Sequence, residues 1–137
     1  DLYRFVQVVE ELQRRKNRGE PLDRLELLLM EAFCLYRGDL FAEDPDDDLF
    51  EEQRTALRKN YVEVAGDLAR LYAAWGQADR AAQTLRRALT VAGPCEDLHR
   101  QLIEILLHAG RTAEARSEYA RCLRCLREEF SATPSAA

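Results

Sequence analysis

Residues 68–89 read LARLYAAWGQADRAAQTLRRAL, and residues 102–123 read LIEILLHAGRTAEARSEYARCL. The second stretch repeats the apolar, small and glycine positions of the first after 34 residues. Both stretches space their apolar residues three and four apart, which indicates amphipathic helices rather than strands. The corresponding pairs are Leu68 and Leu102, Tyr72 and Leu106, Gly76 and Gly110, Ala81 and Ala115, Leu85 and Tyr119, Ala88 and Cys122, and Leu89 and Leu123.

The residue types at the repeated positions suit a pair of antiparallel helices. Ala81 and Ala115 are small, as is needed where two helices cross closely, and Gly76 and Gly110 stand where the chain must reverse. A period of 34 residues is that of the tetratricopeptide repeat. The repeat therefore predicts a tetratricopeptide-like array, with an ordinary antiparallel helix bundle of coincidental spacing as the alternative.

Helical patterns also cover the rest of the chain. They predict an all-α fold, a right-handed superhelix of about six helices in three antiparallel pairs, with the third helix longest. The first pair does not keep the 34-residue register, as is common for terminal repeats. We expect the domain to occupy residues 1–130 and residues 131–137 to form a flexible tail. The residues predicted to be buried between successive helices are Leu68, Leu85, Leu102 and Tyr119.

Composition limits the function. The chain has 20 basic and 25 acidic residues and a formal net charge of -5. It lacks the basic excess that lets proteins neutralise phosphates, so we expect no direct DNA binding by this chain.

No apolar run approaches the roughly 20 residues that span a bilayer. The chain starts at Asp1 and its only methionine is Met30, so we expect a fragment of a longer protein. Its four cysteines favour a protein of the reducing cytoplasm over a disulfide-stabilised scaffold.

Several segments in order resemble one known family. They are the opening Asp1-Leu2-Tyr3-Arg4-Phe5, Leu35-Tyr36-Arg37-Gly38-Asp39-Leu40, Glu52-Gln53-Arg54-Thr55-Ala56-Leu57, Asp97-Leu98-His99-Arg100-Gln101-Leu102-Ile103, Ala109-Gly110-Arg111 with Ala115 and Tyr119, and Leu126-Arg127-Glu128-Glu129-Phe130 with Pro134-Ser135. Over essentially its whole length the chain resembles the bacterial transcriptional activator domain of antibiotic-regulatory-type and related regulators. It departs from the family in lacking a tryptophan near Leu49 or Phe50.

The resemblance implies a non-catalytic module that supports dimerisation or contacts with transcription machinery or sensor domains. It also implies that a separate upstream domain binds DNA. The residues themselves support a non-catalytic module, because the sequence contains neither a glycine-rich phosphate loop nor a Ser/His/Asp motif. We therefore expect no enzyme activity and no cofactor. Two further hypotheses remain: a tetratricopeptide scaffold in another complex, and a sensor that holds a small effector in its groove.

Three clusters of residues suggest a binding site, but each has a simpler interpretation. Cys95 and His99, with Cys122 and Cys125, have zinc-like spacings, but Cys122 occupies a small buried repeat position, so we expect no metal. The acidic stretch 43–48 suggests calcium, yet Asp46, Asp47 and Asp48 more simply cap the long helix. Basic residues on the sixth helix suggest phosphate binding, but neighbouring glutamates favour a solvated face; they are Arg121, Arg124 and Arg127.

The repeat register also predicts a partner-binding groove. In tetratricopeptide arrays the first helix of each pair lines a concave surface. Arg70 and Arg100 would bind carboxylates of an acidic partner there, or else pair with Glu63 and Glu104. The repeat register also maps Gly66, Ala74 and Leu107 to this surface. The predicted groove residues are Glu63, Arg70, Ala73, Asp97, Arg100, Glu104 and His108.

Overall fold

The computed structural model describes residues 2–38 and 51–130 of the chain. Within these ranges all regular structure is helical, which confirms the predicted all-α class and agrees with a tetratricopeptide-like fold. The predicted tail and the acidic stretch 43–48, with its capping and calcium interpretations, lie outside the described residues. The helices are α1 (Leu2–Asn17), α2 (Glu26–Leu35), α3 (Glu51–Ala74), α4 (Ala78–Ala92), α5 (Glu96–His108) and α6 (Thr112–Phe130), and a short 3-10 helix (Leu22–Leu25) precedes α2.

The third helix is the longest of those described, with 24 residues, as predicted. No helix in the described part of the chain is both long and apolar enough to cross a membrane. The chain divides into two compact units, Asp1–Leu71 and Tyr72–Ala137, so that α3 begins in the first unit and ends in the second.

In the first unit, α1 packs against α2. The apolar stripe of α1 buries Phe5 and Leu12, and α2 with its 3-10 lead-in buries Leu25, Leu29 and Ala32. Burial of such side chains removes apolar surface from water, which is the main source of stability. This packing explains why the two helices form although the 34-residue register is absent from this part of the sequence.

Helix α2 ends at Leu35, three residues before Gly38. Tyr36 has extended backbone angles (φ -74°, ψ 129°), and its N–H still bonds to the carbonyl of Ala32. The bend turns Tyr36 into the interior, where its ring stacks on Tyr61 of α3 with centroids 4.4 Å apart and lies 5.4 Å from the ring of Phe5. Aromatic packing therefore decides where α2 ends.

In the second unit, α5 packs against both α4 and α6. The predicted core positions Leu85 and Leu102 are fully buried, and Leu68 is buried in the first unit. The prediction for Tyr119 is wrong, because its side chain is 53% exposed. The buried face of α6 contains Ala115, Glu118 and Cys122. Glu118, and not Tyr119, is therefore the buried residue between Ala115 and Cys122.

The two glycines that carry the repeat end their helices in the same way. Gly76 has φ +74° and Gly110 has φ +76°. The N–H of Gly76 bonds to the carbonyl of Ala73 at 3.0 Å, and the N–H of Gln77 bonds to the carbonyl of Tyr72 at 2.9 Å. This is the Schellman arrangement, which requires a left-handed residue. Because the helix closes there, Trp75 lies beyond the end of α3 and is 43% exposed.

Candidate partner-binding face

All of the predicted groove residues are exposed. Glu63 and Arg70 lie in the first unit, whereas the other five lie in the second. Gly66, which the register maps to the same surface, is buried, and the assignment of the exposed residues to a partner-binding groove stays a prediction. Which of these residues share a site depends on the geometry within each unit.

In the first unit, the exposed side of α3 is tied to the end of α1. Lys16 Nζ donates to Glu63 Oε1 at 2.9 Å and to Asp67 Oδ2 at 2.7 Å. Partial burial by itself would lower the pKa of Lys16, but its hydrogen bonds to Asp67 and Glu63 raise that pKa above its ordinary value. Arg70 donates to the other Asp67 oxygen at 2.8 Å. These ion pairs hold Glu63 and Arg70 in place.

The expected intrahelical partners of the two arginines are wrong. Arg70 pairs with Asp67 rather than Glu63, and Arg100 pairs with Glu96 at 2.9 Å rather than with Glu104. Helical side chains lean toward the N-terminus, so an arginine reaches a carboxylate one turn earlier in the chain. Both arginines therefore already have acidic partners within their own helix.

In the second unit, two predicted groove residues line one cavity. Ala73 and His108 border a cavity of about 510 Å³ between the α3–α4 turn and the end of α5. Asp97, Arg100 and Glu104 do not line it. Small side chains leave this space unfilled, and the complete lining is Ala73, Ala74, Gly76, Ala78, Ile105, His108 and Ala109.

Large apolar side chains adjoin the cavity residues in the chain. Trp75, between the lining residues Ala74 and Gly76, is 43% exposed, and Leu107, next to His108, is 52% exposed. The repeat register placed Ala74 on the predicted surface, but sequence reasoning missed other lining residues, such as Ala78 and Ala109. The signal that could have found Ala78 was the small residues on both sides of the turn glycine, Ala73 and Ala74 before Gly76 and Ala78 after it. Large exposed apolar side chains beside a concave apolar surface are typical of binding sites.

The cysteine and histidine cluster shows no metal-site geometry. Among the described residues, no group of three or more histidine, cysteine or acidic side chains is arranged to hold a metal ion. Burial, followed by the charge of Glu96, raises the pKa of the Cys122 thiol, which disfavours the thiolate that a metal binds. Cys122 is 4% exposed, as expected for its repeat position, and all four cysteines are free thiols.

The basic side of α6 is partly neutralised. Arg121 donates to Glu118 at 3.1 Å, and Arg124 and Arg127 are exposed. Elsewhere in the second unit, Arg111 pairs with Asp79 and with Glu114. Ion pairing of this kind agrees with a solvated helix face rather than a phosphate-binding stripe.

A comparison with protein families gives one result. The family model described as "Bacterial transcriptional activator domain" matches residues 1–137, the whole chain. No curated protein and no solved structure matches the chain.

Proposed function

The chain belongs to the bacterial transcriptional activator domain family, and we propose that it is the non-catalytic protein-interaction domain of a transcriptional activator that acts in the cytoplasm. Its partner is a protein: another domain of the same regulator, the transcription machinery or a second copy of the chain. A separate domain binds DNA. Family membership favours this function over that of a tetratricopeptide scaffold in an unrelated complex.

The observation that carries the proposal is the cavity beside Ala73 and His108. Its volume of about 510 Å³ and its small apolar lining suit a large apolar side chain from a partner. Trp75 and Leu107, which adjoin lining residues in the chain, add exposed apolar area. Buried aromatic and aliphatic anchors of this kind dominate the free energy of many protein interfaces.

The charge distribution supports a protein partner rather than DNA. The net charge is -5, and Arg70, Arg100, Arg111 and Arg121 each pair with a carboxylate. A DNA site would need unpaired cations to displace counterions from phosphates. We therefore expect the isolated chain to form no specific complex with promoter DNA.

Site-specific photocrosslinking tests the proposal. The crosslinking residue p-benzoylphenylalanine replaces Leu107 in the full-length regulator, and irradiated cells are analysed by mass spectrometry. We expect a covalent product with a protein partner, whose identity distinguishes self-association from contact with RNA polymerase or another domain. The matched control is the same replacement at Tyr119, which is equally exposed but lies on α6.

The outcome is decisive in either direction. A product at position 107 and none at position 119 would support the cavity as the contact surface. If position 119 crosslinks to the same partner and position 107 does not, the interaction surface is α6 and the proposal is wrong.

A further inference from the structure

A second cavity in the second unit lies apart from the proposed partner site. It is bordered by α4, by the connection that follows it, by α5 and by α6, and its volume is about 250 Å³. The lining side chains are more polar than those of the first cavity, and Thr90 and Pro94 are exposed at its rim. The lining residues are Arg86, Leu89, Thr90, Pro94, His99, Glu118, Arg121 and Cys125.

Two buried side chains in this cavity each have a polar atom without a hydrogen-bond partner. His99 and Glu118 are each 3% exposed. Within the described part of the chain, His99 Nδ1 and Glu118 Oε2 are buried and have no hydrogen-bond partner. Buried polar atoms without a partner are uncommon in proteins, since leaving one unsatisfied is costly. Both atoms therefore have hydrogen-bonding capacity that a group in the cavity could use.

The hydrogen bonds of Glu118 indicate which chemical group a ligand must present to its free oxygen. Its Oε1 accepts from Arg121 at 3.1 Å and lies 3.5 Å from Arg86 Nε, whereas its Oε2 is unused. An ionised carboxylate only accepts hydrogen bonds, so that group must be a donor. An ammonium group is the strongest such donor for a buried carboxylate.

The surrounding charges further restrict the ligand. Arg86 also pairs with Glu114 at 3.3 Å, and Arg111 pairs with both Glu114 and Asp79. The three arginines and three carboxylates of this network together carry no net charge. A ligand with a net charge would disturb this balance in a partly desolvated site. Arg86 and Arg121 remain partly exposed, with side-chain exposures of 38% and 55%, and so have surface left for an anionic group.

We propose that this cavity binds a free amino acid, whose ammonium group donates to Glu118 and whose carboxylate lies against Arg121. His99 Nδ1 supplies a third hydrogen bond. The volume of about 250 Å³ equals that of about eight liquid water molecules, which suits a molecule with a similar number of non-hydrogen atoms. This site goes beyond the proposed partner-binding function and would make the domain responsive to a metabolite.

The two histidines of the chain allow a direct test by nuclear magnetic resonance. His99 lines this cavity, whereas His108 lines the partner cavity. Each of the protein amino acids is added in excess to the 137-residue chain while the imidazole resonances are recorded. We expect at least one amino acid to shift the His99 resonances and to leave those of His108 unchanged. If none does, or if both histidines shift together, the proposal is wrong.

Variants then test the assigned contacts by calorimetric titration with the amino acid identified. Glu118→Gln should weaken binding by about tenfold or more, because a charge-assisted hydrogen bond is lost. The matched control is Glu114→Gln, which removes another carboxylate paired with Arg86 but outside the cavity lining, and it should bind within about twofold of the wild type. Equal affinities for the Glu118→Gln variant and the wild type would overturn the assignment.

A second variant covers the case in which Glu118→Gln does not fold. Arg121→Gln should weaken binding of the amino acid, and it should leave the weaker binding of the corresponding amine, which lacks the carboxylate, unchanged. A loss of affinity that is the same for both ligands would contradict the carboxylate contact with Arg121. Far-ultraviolet circular dichroism of each variant verifies that the helices are intact.

Discussion

At the residue scale, the second unit is stabilised by leucines that lie at the repeated positions. Leu85 of α4 and Leu102 of α5 are completely buried, and these two helices pack on each other. Truncating either side chain would remove buried apolar surface and leave a cavity that close-packed neighbours fill only in part. The contribution of these positions to stability should therefore be large.

Leu85→Ala and Leu102→Ala should each lower the free energy of unfolding by about 2–5 kcal/mol. Urea denaturation followed by circular dichroism measures the change. Tyr119→Ala is the control, and we expect it to cost less than about 1 kcal/mol because Tyr119 is 53% exposed. A Tyr119 variant as unstable as the leucine variants would show that the assigned face of α6 is wrong.

A second prediction at this scale concerns pH. Burial lowers the pKa of His99 below its ordinary value; the charge of Glu118 opposes this effect and that of Arg121 adds to it. The unfolded chain therefore binds a proton more readily, so the free energy of unfolding should fall as the pH drops from about 7 to about 5. His99→Gln should remove this part of the pH dependence.

Urea denaturation across that pH range measures the effect in both histidine variants. His108→Gln is the matched control, because His108 is an exposed residue of the same helix. We expect it to keep the pH dependence of the wild type. If the His99→Gln variant retains the full slope, burial of His99 does not contribute to acid sensitivity.

Some residue positions could be read from the sequence and others could not. Leu85, Leu102 and Cys122 followed from the repeat, because apolar side chains at helical spacing must be buried together. Glu118 did not, since its burial depends on Arg86, which reaches it from α4, as well as on Arg121 one turn later in α6. Tertiary partners of a polar residue leave no periodic signal in a single sequence.

At the element scale, the glycines end helices at positions that the repeat predicted. The Schellman hydrogen bonds at Gly76 recur at Gly110, where the N–H of Arg111 bonds to the carbonyl of Leu106 at 2.8 Å. The end of α2 was not predictable in the same way, because the packing of Tyr36 on Tyr61 decides it. A helix end that depends on a local glycine can be predicted from the sequence, whereas one that depends on packing against distant side chains cannot.

Gly76→Ala should lower the free energy of unfolding by about 1–2 kcal/mol, the cost of a left-handed backbone for a residue with a Cβ. A Cβ at Gly76 would meet no atom within 4 Å, so steric overlap adds nothing. Gly76→Asn is the control, because asparagine adopts this conformation more readily, and it should cost less. Thermal denaturation of both variants gives the comparison, and equal losses would contradict the backbone explanation.

At the scale of the whole molecule, the sequence predicted exposed residues but not the cavity. All seven predicted groove residues are exposed, yet only Ala73 and His108 line the same cavity. The depth of a surface depends on the side chains that neighbouring elements place beside it, such as Ala78 and Ala109. This information is absent from the periodicity of one helix.

The cavity also gives a better functional test than the arginines of the predicted groove. Arg70→Glu would place a second carboxylate beside Asp67, which is 5% exposed, and would therefore disturb the fold as well as the surface. Ala73 is exposed near the end of α3. Arginine has a helix propensity close to that of alanine, so Ala73→Arg should fill the cavity and leave the helix intact.

The most direct measurement compares gene expression in the source bacterium with chromosomal variants of the regulator. RNA sequencing of Ala73→Arg should reproduce the expression changes caused by deleting residues 1–137, because the partner no longer fits the cavity. Ala120→Arg, at an exposed alanine of α6 outside the cavity, should match the wild type. A deletion that alters transcription while Ala73→Arg behaves as the wild type would contradict the assigned surface, and a deletion without effect would contradict the regulatory function itself.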